Sequence, residues 1–333
     1  MTTKNSFWAG KRILVTGAGG FIGSHLVETL AGQGAQVRAF VRYNSRNDPG
    51  LLKMSPANIL ANVEIIPGDL RDLTAIQSAM NGTSHVFHLG ALIAIPYSYL
   101  HPAEVVEANI IGTLNILLAA RDQSIQRLVH TSSSEVYGTA LRVPIDESHP
   151  LQGQSPYSAS KIGADKLAES FFLSYNLPVV TLRPFNTFGP RQSARAVIPA
   201  LIAQALTQST IHLGNLDTRR DFTYVSDTVA GFLKIAETPG VEGQTINLGT
   251  GQDIRIGDLA QSVMAMVDHP VKIVVDPARL RPEKSEVQRL ISDNRLALQK
   301  LGWSPQVSLE DGLQKTFDWI KEHLTMYSKE YVV

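Results

Sequence analysis

Two side chains that could together take a proton from a hydroxyl group stand four residues apart, at Tyr157 and Lys161. The surrounding residues have a helical pattern, which predicts that both side chains lie on one helix face. A phenol has an ordinary pKa of about 10, too high for a base at neutral pH. We expect the Lys161 ammonium to lower that pKa, so that the pair can accept a proton while a hydride leaves the same carbon. Without further context, this spacing is more typical of two residues that share a solvated helix face.

A second polar group, Ser133, Ser134 and Glu135, follows the apolar run Arg127–Thr131, which predicts a buried parallel strand. Ligands of open α/β sheets bind beyond the carboxyl ends of the strands. Hydroxyls and a carboxylate at that position are therefore candidates for substrate contact. A serine-rich loop with Glu135 in water is the alternative.

Three glycines, Gly17, Gly20 and Gly23, lie between a predicted strand at Arg12–Thr16 and a predicted helix that begins at Phe21. A strand, a glycine turn and a helix in this order form a binding site for a pyrophosphate, with the helix N-terminus directed at the anion. The spacing is G-x-x-G-x-x-G rather than the commoner G-x-G-x-x-G, and an ordinary βα turn is the alternative. The flanking elements favour dinucleotide binding.

The elements that must position these groups alternate along the first half of the chain. The predicted strands are Arg12–Thr16, Gln36–Val41, Val63–Pro67, His85–Leu89, Arg127–Thr131 and Val179–Arg183, and the predicted helices are Gly20–Gln33, Leu73–Met80, Pro102–Asp122 and Tyr157–Ser174. This alternation predicts an α/β fold, a Rossmann-type doubly wound parallel sheet. We expect a dinucleotide-binding domain over residues 1–184, a segment near 222–250 that returns to it, and a smaller mixed α/β substrate domain over 185–333.

Bulk composition excludes several classes of protein. Among 333 residues, 30 are Lys or Arg and 30 are Asp or Glu, so no overall charge favours nucleic acid or an anionic membrane. There is no cysteine, which excludes disulfides and thiolate metal sites. The first ten residues lack a signal-peptide core, and no apolar run approaches the length of a membrane span. We expect a cytoplasmic protein with no nucleic-acid or membrane partner.

The chain as a whole resembles the extended short-chain dehydrogenase/reductases that act on nucleotide sugars. The resemblance is carried, in order, by Thr16–Leu26, Gly68-Asp-Leu70, His88-Leu-Gly-Ala91, Asn109-x-x-Gly-Thr113, Ser132–Gly138, Tyr157–Lys161, Arg183-Pro-Phe-Asn186, Arg220-Asp221 and Arg281-Pro282. Within the family, the sequence looks most like the sugar 4,6-dehydratases. The stretch His149–Ser170 is similar to dehydratases of N-acetylamino-sugar pathways such as legionaminic acid synthesis.

The resemblance implies a role for each catalytic candidate. Tyr157 would be the base for the C4 hydroxyl, tuned by Lys161, and Ser133 would hydrogen-bond the C4 oxygen. Glu135 would remove the C5 proton after oxidation at C4. Ser134 stands where many relatives carry Asp, and a serine is a much poorer acid for the loss of water from C6. Either Glu135 is both base and acid, or a water relays the proton.

The same resemblance implies two sets of binding residues. The cofactor contacts would be Gly17, Gly20, Phe21, Ile22, Gly23, Arg42, Asp69, Leu70, Leu89, Ala91 and Lys161. The nucleotide-diphosphate sugar would meet Asn186, Arg220 and Arg281, since a guanidinium suits a diphosphate. From the residues alone, either arginine could be a surface charge, and Asp69 could cap the helix from Leu73 onward.

The choice between NAD and NADP stays open. An acid about 20 residues past the glycines would bind the ribose 2′-hydroxyl and select NAD. After the second strand the chain instead gives Arg42-Tyr-Asn-Ser-Arg46, with no acid before Asp48. These arginines could pair with a 2′-phosphate, whereas relatives with similar Tyr-Asn-Ser stretches use NAD. Either cofactor would be tightly bound and regenerated in each cycle.

The sequence therefore predicts a nucleotide-sugar 4,6-dehydratase acting on a UDP- or GDP-linked hexose or N-acetylhexosamine. The alternatives are a UDP-glucuronate decarboxylase, a 4-epimerase and, less favoured because Tyr157 and Lys161 are both present, a non-catalytic NAD(P) sensor. The resemblance also suggests a homodimer through a four-helix bundle of Pro102–Asp122 and Tyr157–Ser174. His25, His88 and His130 lack metal-ligand spacing, so we expect them to pack or hydrogen-bond and predict no metal.

Overall fold

The computed structural model describes residues 6–327. The strands are β1 Arg12–Thr16, β2 Gln36–Arg42, β3 Val63–Gly68, β4 His85–His88, β5 Arg127–Thr131, β6 Val179–Pro184, β7 Asn186–Phe188, β8 Thr210–Leu213, β9 Arg219–Arg220, β10 Phe222–Tyr224, β11 Thr245–Leu248, β12 Ile254–Arg255, β13 Lys272–Val275 and β14 Arg289–Leu290. The helices are α1 Phe21–Gly32, α2 Ala57–Leu60, α3 Leu73–Met80, α4 Ile95–Leu100, α5 Pro102–Val106, α6 Gly112–Asp122, α7 Pro156–Tyr175, α8 Val197–Thr207, α9 Val225–Glu237, α10 Ile256–Met264, α11 Arg295–Leu301 and α12 Leu309–Glu322.

A seven-stranded sheet organises the fold in the order β11-β6-β5-β4-β1-β2-β3, with every neighbouring pair parallel. Helices cover both faces, so the apolar residues of one strand alternate between two cores. Ile13 and Val15 of β1 enter one core, and Leu14 enters the other. This confirms the Rossmann-type doubly wound sheet predicted from the alternation of strands and helices.

The outermost strand on one side comes from far along the chain. Thr245–Leu248 of β11 pairs in parallel with β6, and α9, just before it, packs on α1. The remaining strands form three small sheets, β7 with β10, β9 between β12 and β14, and β8 with β13. The limits 1–184 and 185–333 for two domains stay a prediction.

The predicted helix Pro102–Asp122 contains one π turn, Glu107–Ile111, between α5 and α6. A π turn inserts one extra residue into a helix and redirects its side chains, often at a functional site. Here the buried Asn109 is directed away from solvent. Its amide donates to Ser160 Oγ at 3.0 Å on α7 and to the Leu92 carbonyl at 2.9 Å, joining the loop after β4 to that helix.

The same helix corrects one expectation. By length and composition, Pro102–Asp122 is apolar enough to cross a membrane, and it is the one such helix among residues 6–327. Half of its most apolar 18-residue stretch is buried within the protein, and α6 packs against α3 and α7. The expectation that no apolar segment reaches this length is therefore wrong, because the core helix of an α/β fold can be as apolar as a membrane span.

Candidate active site

Helix α7 begins with a capping box that fixes the first turn. Ser155 Oγ accepts from the Ser158 amide at 3.1 Å, and Ser158 Oγ accepts from the Ser155 amide at 2.9 Å. Pro156 occupies the first helical position, where its missing N–H costs nothing. This start places Tyr157 and Lys161 on one face, both buried, with 6% and 4% of their surface exposed.

Tyr157 meets the serine-rich segment across a short distance. Its hydroxyl is hydrogen-bonded to the Ser133 side chain and feels the negative charge of Glu135. Ser133 Oγ also accepts from the Glu135 amide at 3.2 Å and so begins the 3₁₀ turn Ser134–Tyr137. Ser134 is buried within that turn. The structure thus brings Tyr157, Ser133 and Glu135 together.

The pKa of Tyr157 differs from expectation. Burial raises it to about 12, because desolvation disfavours the phenolate and the hydrogen bond with Ser133 opposes this only in part. The expectation that Lys161 lowers this pKa is wrong for this structure. Lys161 Nζ donates instead to the Thr131 carbonyl at 2.6 Å, and burial lowers the pKa of Lys161 itself to about 8.

One turn beyond Lys161, Asp165 holds a buried network that the sequence analysis did not single out. Its carboxylate accepts from Ser132 Oγ at 2.7 Å and from Arg183 Nη2 at 2.8 Å, and its Oδ1 lies 3.1 Å from His130 Nε2. Burial raises the pKa of Asp165, but the hydrogen bond with His130 and the charge of Arg183 outweigh it and hold the value at about 2. The spacing of Asp165, four residues after Lys161 on one helix face, is the signal that could have found it.

We expect His25, His88 and His130 to pack or to hydrogen-bond, and all three form hydrogen bonds. His130 contacts Asp165, His25 Nε2 lies 3.0 Å from the Pro190 carbonyl, and His88 lies between Thr16 Oγ1 and Thr113 Oγ1 at 2.8 and 3.1 Å. Residues 6–327 contain no cluster of three or more side chains that could hold a metal.

The glycine turn fits a dinucleotide by two backbone observations. Gly17 has a φ of +68°, and a Cβ there would lie 2.8 Å from the Gly90 amide. A Cβ on Gly23 would lie 2.2 Å from the Gly17 carbonyl, so α1 can pack this close to the turn only with glycine. Among the described residues, no side chain caps α1 at Gly20, which leaves its first amides available for an anion.

Beside this turn lies a cavity of about 150 Å³. It is lined by five of the predicted cofactor residues, namely Gly17, Arg42, Asp69, Leu70 and Ala91. The other six predicted cofactor residues do not line it: Gly20, Phe21, Ile22 and Gly23 at the start of α1, Leu89 after β4, and Lys161 on α7. Asp69 does not cap α3, since Asp72 accepts from the Ala75 amide at 3.1 Å and is the cap.

A charged cluster lies on the other side of Glu135. Arg281 Nη1 is 3.8 Å from Glu135 Oε1 and 3.8 Å from Glu286 Oε1, and Arg220 Nη2 is 3.7 Å from Glu286. Burial lowers the pKa of Arg220, opposed by the charges of Glu135 and Glu286. The predicted arginines are thus brought together, and Glu286 is a member that sequence reasoning missed.

Asn186 approaches this cluster through the backbone. Its amide donates to the carbonyl of Asp221, the residue after Arg220, at 3.1 Å. Two buried atoms here, Asn186 Oδ1 and Arg281 Nη1, have no hydrogen-bond partner among residues 6–327. Native proteins rarely leave such atoms unpaired, which favours a ligand at this position.

Comparison with known proteins places these features in a family. A family profile described as "GDP-mannose 4,6 dehydratase" matches residues 14–316. This chain belongs to the nucleotide-sugar dehydratase and epimerase family of extended short-chain dehydrogenase/reductases. The family contains enzymes with an NAD-binding Rossmann fold, in agreement with the sheet and the glycine turn.

Members of the family similar to this chain differ in their named reaction. A mouse dTDP-D-glucose 4,6-dehydratase is 29% identical over 94% of this chain and 89% of its own. A UDP-glucose 4-epimerase from Mycolicibacterium smegmatis is 32% identical over 93% of this chain and 98% of its own. A dTDP-glucose 4,6-dehydratase from Streptomyces venezuelae, solved with NAD bound, superposes with a TM-score of 0.83 at 29% identity, over 95% of this chain and 99% of the other. The family membership establishes an enzyme, and both reactions are represented among its relatives.

Proposed function

We propose that this chain is an NAD-dependent nucleotide-diphosphate-sugar 4,6-dehydratase, acting on a UDP- or GDP-linked hexose or N-acetylhexosamine. The observation that carries the proposal is the position of Glu135, which interacts with Tyr157 on one side and lies 3.8 Å from Arg281 on the other. A carboxylate between an alcohol base and a diphosphate anchor can reach the sugar ring that joins them.

The cofactor would be held by the glycine turn, the start of α1 and the 150 Å³ cavity. NAD, when bound, would accept the hydride from C4 and return it to C6. NAD is favoured because structural neighbours such as the Streptomyces dehydratase were solved with it.

Tyr157 would take the proton of the C4 hydroxyl as the C4–H bond breaks, and Ser133 would hold the C4 oxygen. Since the pKa of Tyr157 is about 12 here and Lys161 does not lower it in this structure, the positive charge of a bound nicotinamide ring would have to lower it before Tyr157 can serve as a base.

Glu135 would then remove the C5 proton, which the new C4 carbonyl makes acidic. The electron pair of that C–H bond forms the C5–C6 double bond as the C6–O bond breaks. The departing hydroxide takes the proton from Glu135 and leaves as water, so one carboxyl group is base and then acid. When hydride returns to C6, C5 is protonated and a 4-keto-6-deoxy sugar results.

Ser134 supports a second candidate, a nucleotide-sugar 4-epimerase. An epimerase needs Tyr157, Lys161 and Ser133 but no acid at C6, and Ser134 stands where many dehydratases carry Asp. The mycobacterial 4-epimerase, at 32% identity, shows that such an activity occurs in a similar chain.

The experiment is turnover in D2O of UDP-, GDP-, dTDP- and CDP-linked hexoses, N-acetylhexosamines and UDP-glucuronate. A dehydratase gives a product lighter by one water, with deuterium at C5 by NMR. A 4-epimerase inverts C4 without change of mass or deuterium at C5, and a decarboxylase releases carbon dioxide. Either of the last two results would contradict the dehydratase.

Two variants test the assigned roles. Tyr157→Phe should reduce kcat by about 10²–10⁴-fold while NAD still binds, because only the base is lost. Glu135→Gln should allow oxidation at C4 but block elimination, so that NADH absorbance accumulates after substrate is added. Ser134→Ala is the matched control. Normal turnover by Glu135→Gln would show that another group removes the C5 proton.

We also propose the homodimer through a four-helix bundle. Val106, Ile111 and Leu173 are 42%, 43% and 72% exposed on the two helices that would form it. The expected result is a dimer by light scattering that Leu173→Asp converts to a monomer. A wild-type monomer would contradict it.

A further inference from the structure

The mouth of the dinucleotide cavity carries an ion pair between elements far apart in sequence. Arg42, the last residue of β2, lies 3.5 Å through Nη2 from Oε1 of Glu104 on α5. Both residues line the cavity. In dinucleotide-binding folds, residues at the end of β2 contact the adenosine ribose. An acid there hydrogen-bonds a free 2′-hydroxyl, whereas an arginine binds a 2′-phosphate.

The first acid after β2 is engaged elsewhere. Asp48 accepts from the Gly50 amide at 2.9 Å and from Lys53 Nζ at 3.1 Å. It therefore stabilises the turn that follows β2. The carboxylate that pairs with Arg42 comes instead from Glu104, 62 residues further along the chain.

Glu104 is held in this position by its own neighbours. Its Oε2 accepts a hydrogen bond from the Tyr97 hydroxyl, and the Tyr97 ring lies 4.5 Å from the ring of His101. The hydrogen bond from Tyr97 and the charge of Arg42 both lower the pKa of Glu104, so the group carries its negative charge at neutral pH.

The second arginine at the cavity is also neutralised. Arg71 Nη2 lies 2.7 Å from Asp69 Oδ2, and Arg71 Nη1 lies 3.2 Å from Glu107 Oε2. A 2′-phosphate at this position would therefore find Arg42 and Arg71 already paired with carboxylates. The negative charges of Asp69 and Glu104 would also repel it.

We propose that Glu104 sets the preference of this site for a dinucleotide with a free adenosine 2′-hydroxyl, by pairing with the arginine at the end of β2. This inference rests on the proposed function only in that the cavity binds a nicotinamide dinucleotide. Glu104 takes the place of the acid that the sequence lacks after β2, and its carboxylate can accept a hydrogen bond from a hydroxyl but repels a phosphate.

The test is calorimetric binding of NAD and of NADP to the full chain stripped of nucleotide. We expect the wild type to prefer NAD. Glu104→Gln keeps the shape and the hydrogen bond from Tyr97 but releases the charge of Arg42, so its affinity for NADP should rise about tenfold, as for one charge-assisted hydrogen bond. Its affinity for NAD should change less. The double variant Arg42→Ala with Glu104→Gln should lose this gain in affinity for NADP, because the guanidinium that would bind the 2′-phosphate is then absent.

The matched control is Glu64→Gln. It also removes a carboxylate from an arginine of β2, since Glu64 lies 2.8 Å from Arg38, but neither residue lines the cavity. The ratio of its affinities for NAD and NADP should equal that of the wild type. A wild-type preference for NADP, or an unchanged preference in Glu104→Gln, would overturn the role of Glu104 while the site still binds a dinucleotide. If the wild type bound neither nucleotide, the proposed function would fail as well.

Discussion

The hydrogen bonds around Asp165 measure 2.7 to 3.1 Å, whereas the charge pairs that join Arg220 and Arg281 to carboxylates measure 3.7 to 3.8 Å. The first region is almost fully buried and supports the helix that carries Tyr157 and Lys161. The second contains a buried guanidinium nitrogen of Arg281 without a hydrogen-bond partner among residues 6–327. The Asp165 region also has a buried atom without a partner, His130 Nδ1, but its charged groups are joined by direct hydrogen bonds. The arginines of the second region lie too far from their carboxylates for hydrogen bonds of that kind, so a ligand can still supply oxygens to them.

The largest expected effect of this difference is on stability at Asp165. Asp165→Asn removes the charge that faces Arg183, which is buried with 5% of its surface exposed. A buried cation left without its partner costs about 3–5 kcal/mol. The free energy of unfolding, measured in urea, should fall by about that amount.

The control lies one turn further along the same helix. Glu169 pairs with Lys166 at 2.7 Å, and both side chains are more than half exposed. Glu169→Gln should change the free energy of unfolding by less than about 0.5 kcal/mol. Equal losses in the two variants would show that burial of the Asp165 network contributes nothing to its strength.

The next effect concerns pH and Lys161. Its pKa is about 8 in the folded chain against 10.5 for the free side chain, because burial disfavours the charged form. Between pH 8 and pH 10.5 the unfolded chain binds more protons at this lysine than the folded chain does. The contribution of Lys161 to the free energy of unfolding therefore rises as pH increases from 8. Tyr157 has the opposite effect, but only above pH 10, where it ionises in the unfolded chain and stays protonated in the folded one, because its folded pKa of about 12 exceeds its ordinary value of 10.

We therefore expect wild-type stability to gain on the order of 2 kcal/mol between pH 8 and pH 10 relative to Lys161→Met. The measurement is urea unfolding at both pH values, with Lys166→Met, an exposed lysine of the same helix, as the control. Parallel changes in wild type and Lys161→Met would mean that Lys161 is not desolvated as the structure indicates.

The same contrast explains what the sequence could predict. Arg12–Thr16, Leu73–Met80 and Arg127–Thr131 have the bounds predicted, because a regular pattern of apolar residues and a turn at each end specify them locally. The candidate catalytic pair, Tyr157 and Lys161, could be predicted in the same way, since the two residues share a helix face.

Features that depend on distant contacts were not visible. β9 and β14 are two residues long and have no periodicity, so their pairing depends on the fold around them. The pairing of Glu104 with Arg42 and of Glu286 with Arg220 joins segments that the chain order leaves far apart. The raised pKa of Tyr157 follows from burial, which spacing along a helix does not report.

The smallest expected effect is on substrate affinity at Arg281. Arg281→Lys keeps the charge but loses the fork that can bind two oxygens of a diphosphate, so the KM for the nucleotide sugar should rise about tenfold. The kcat should stay within about threefold if Arg281 binds only the diphosphate. Arg255→Lys, an exposed arginine paired with Asp217 and Asp258, is the control for both parameters. A fall in kcat with an unchanged KM would mean that Arg281 acts through its 3.8 Å contact with Glu135, so that the arginine side would belong to the catalytic machinery rather than to binding.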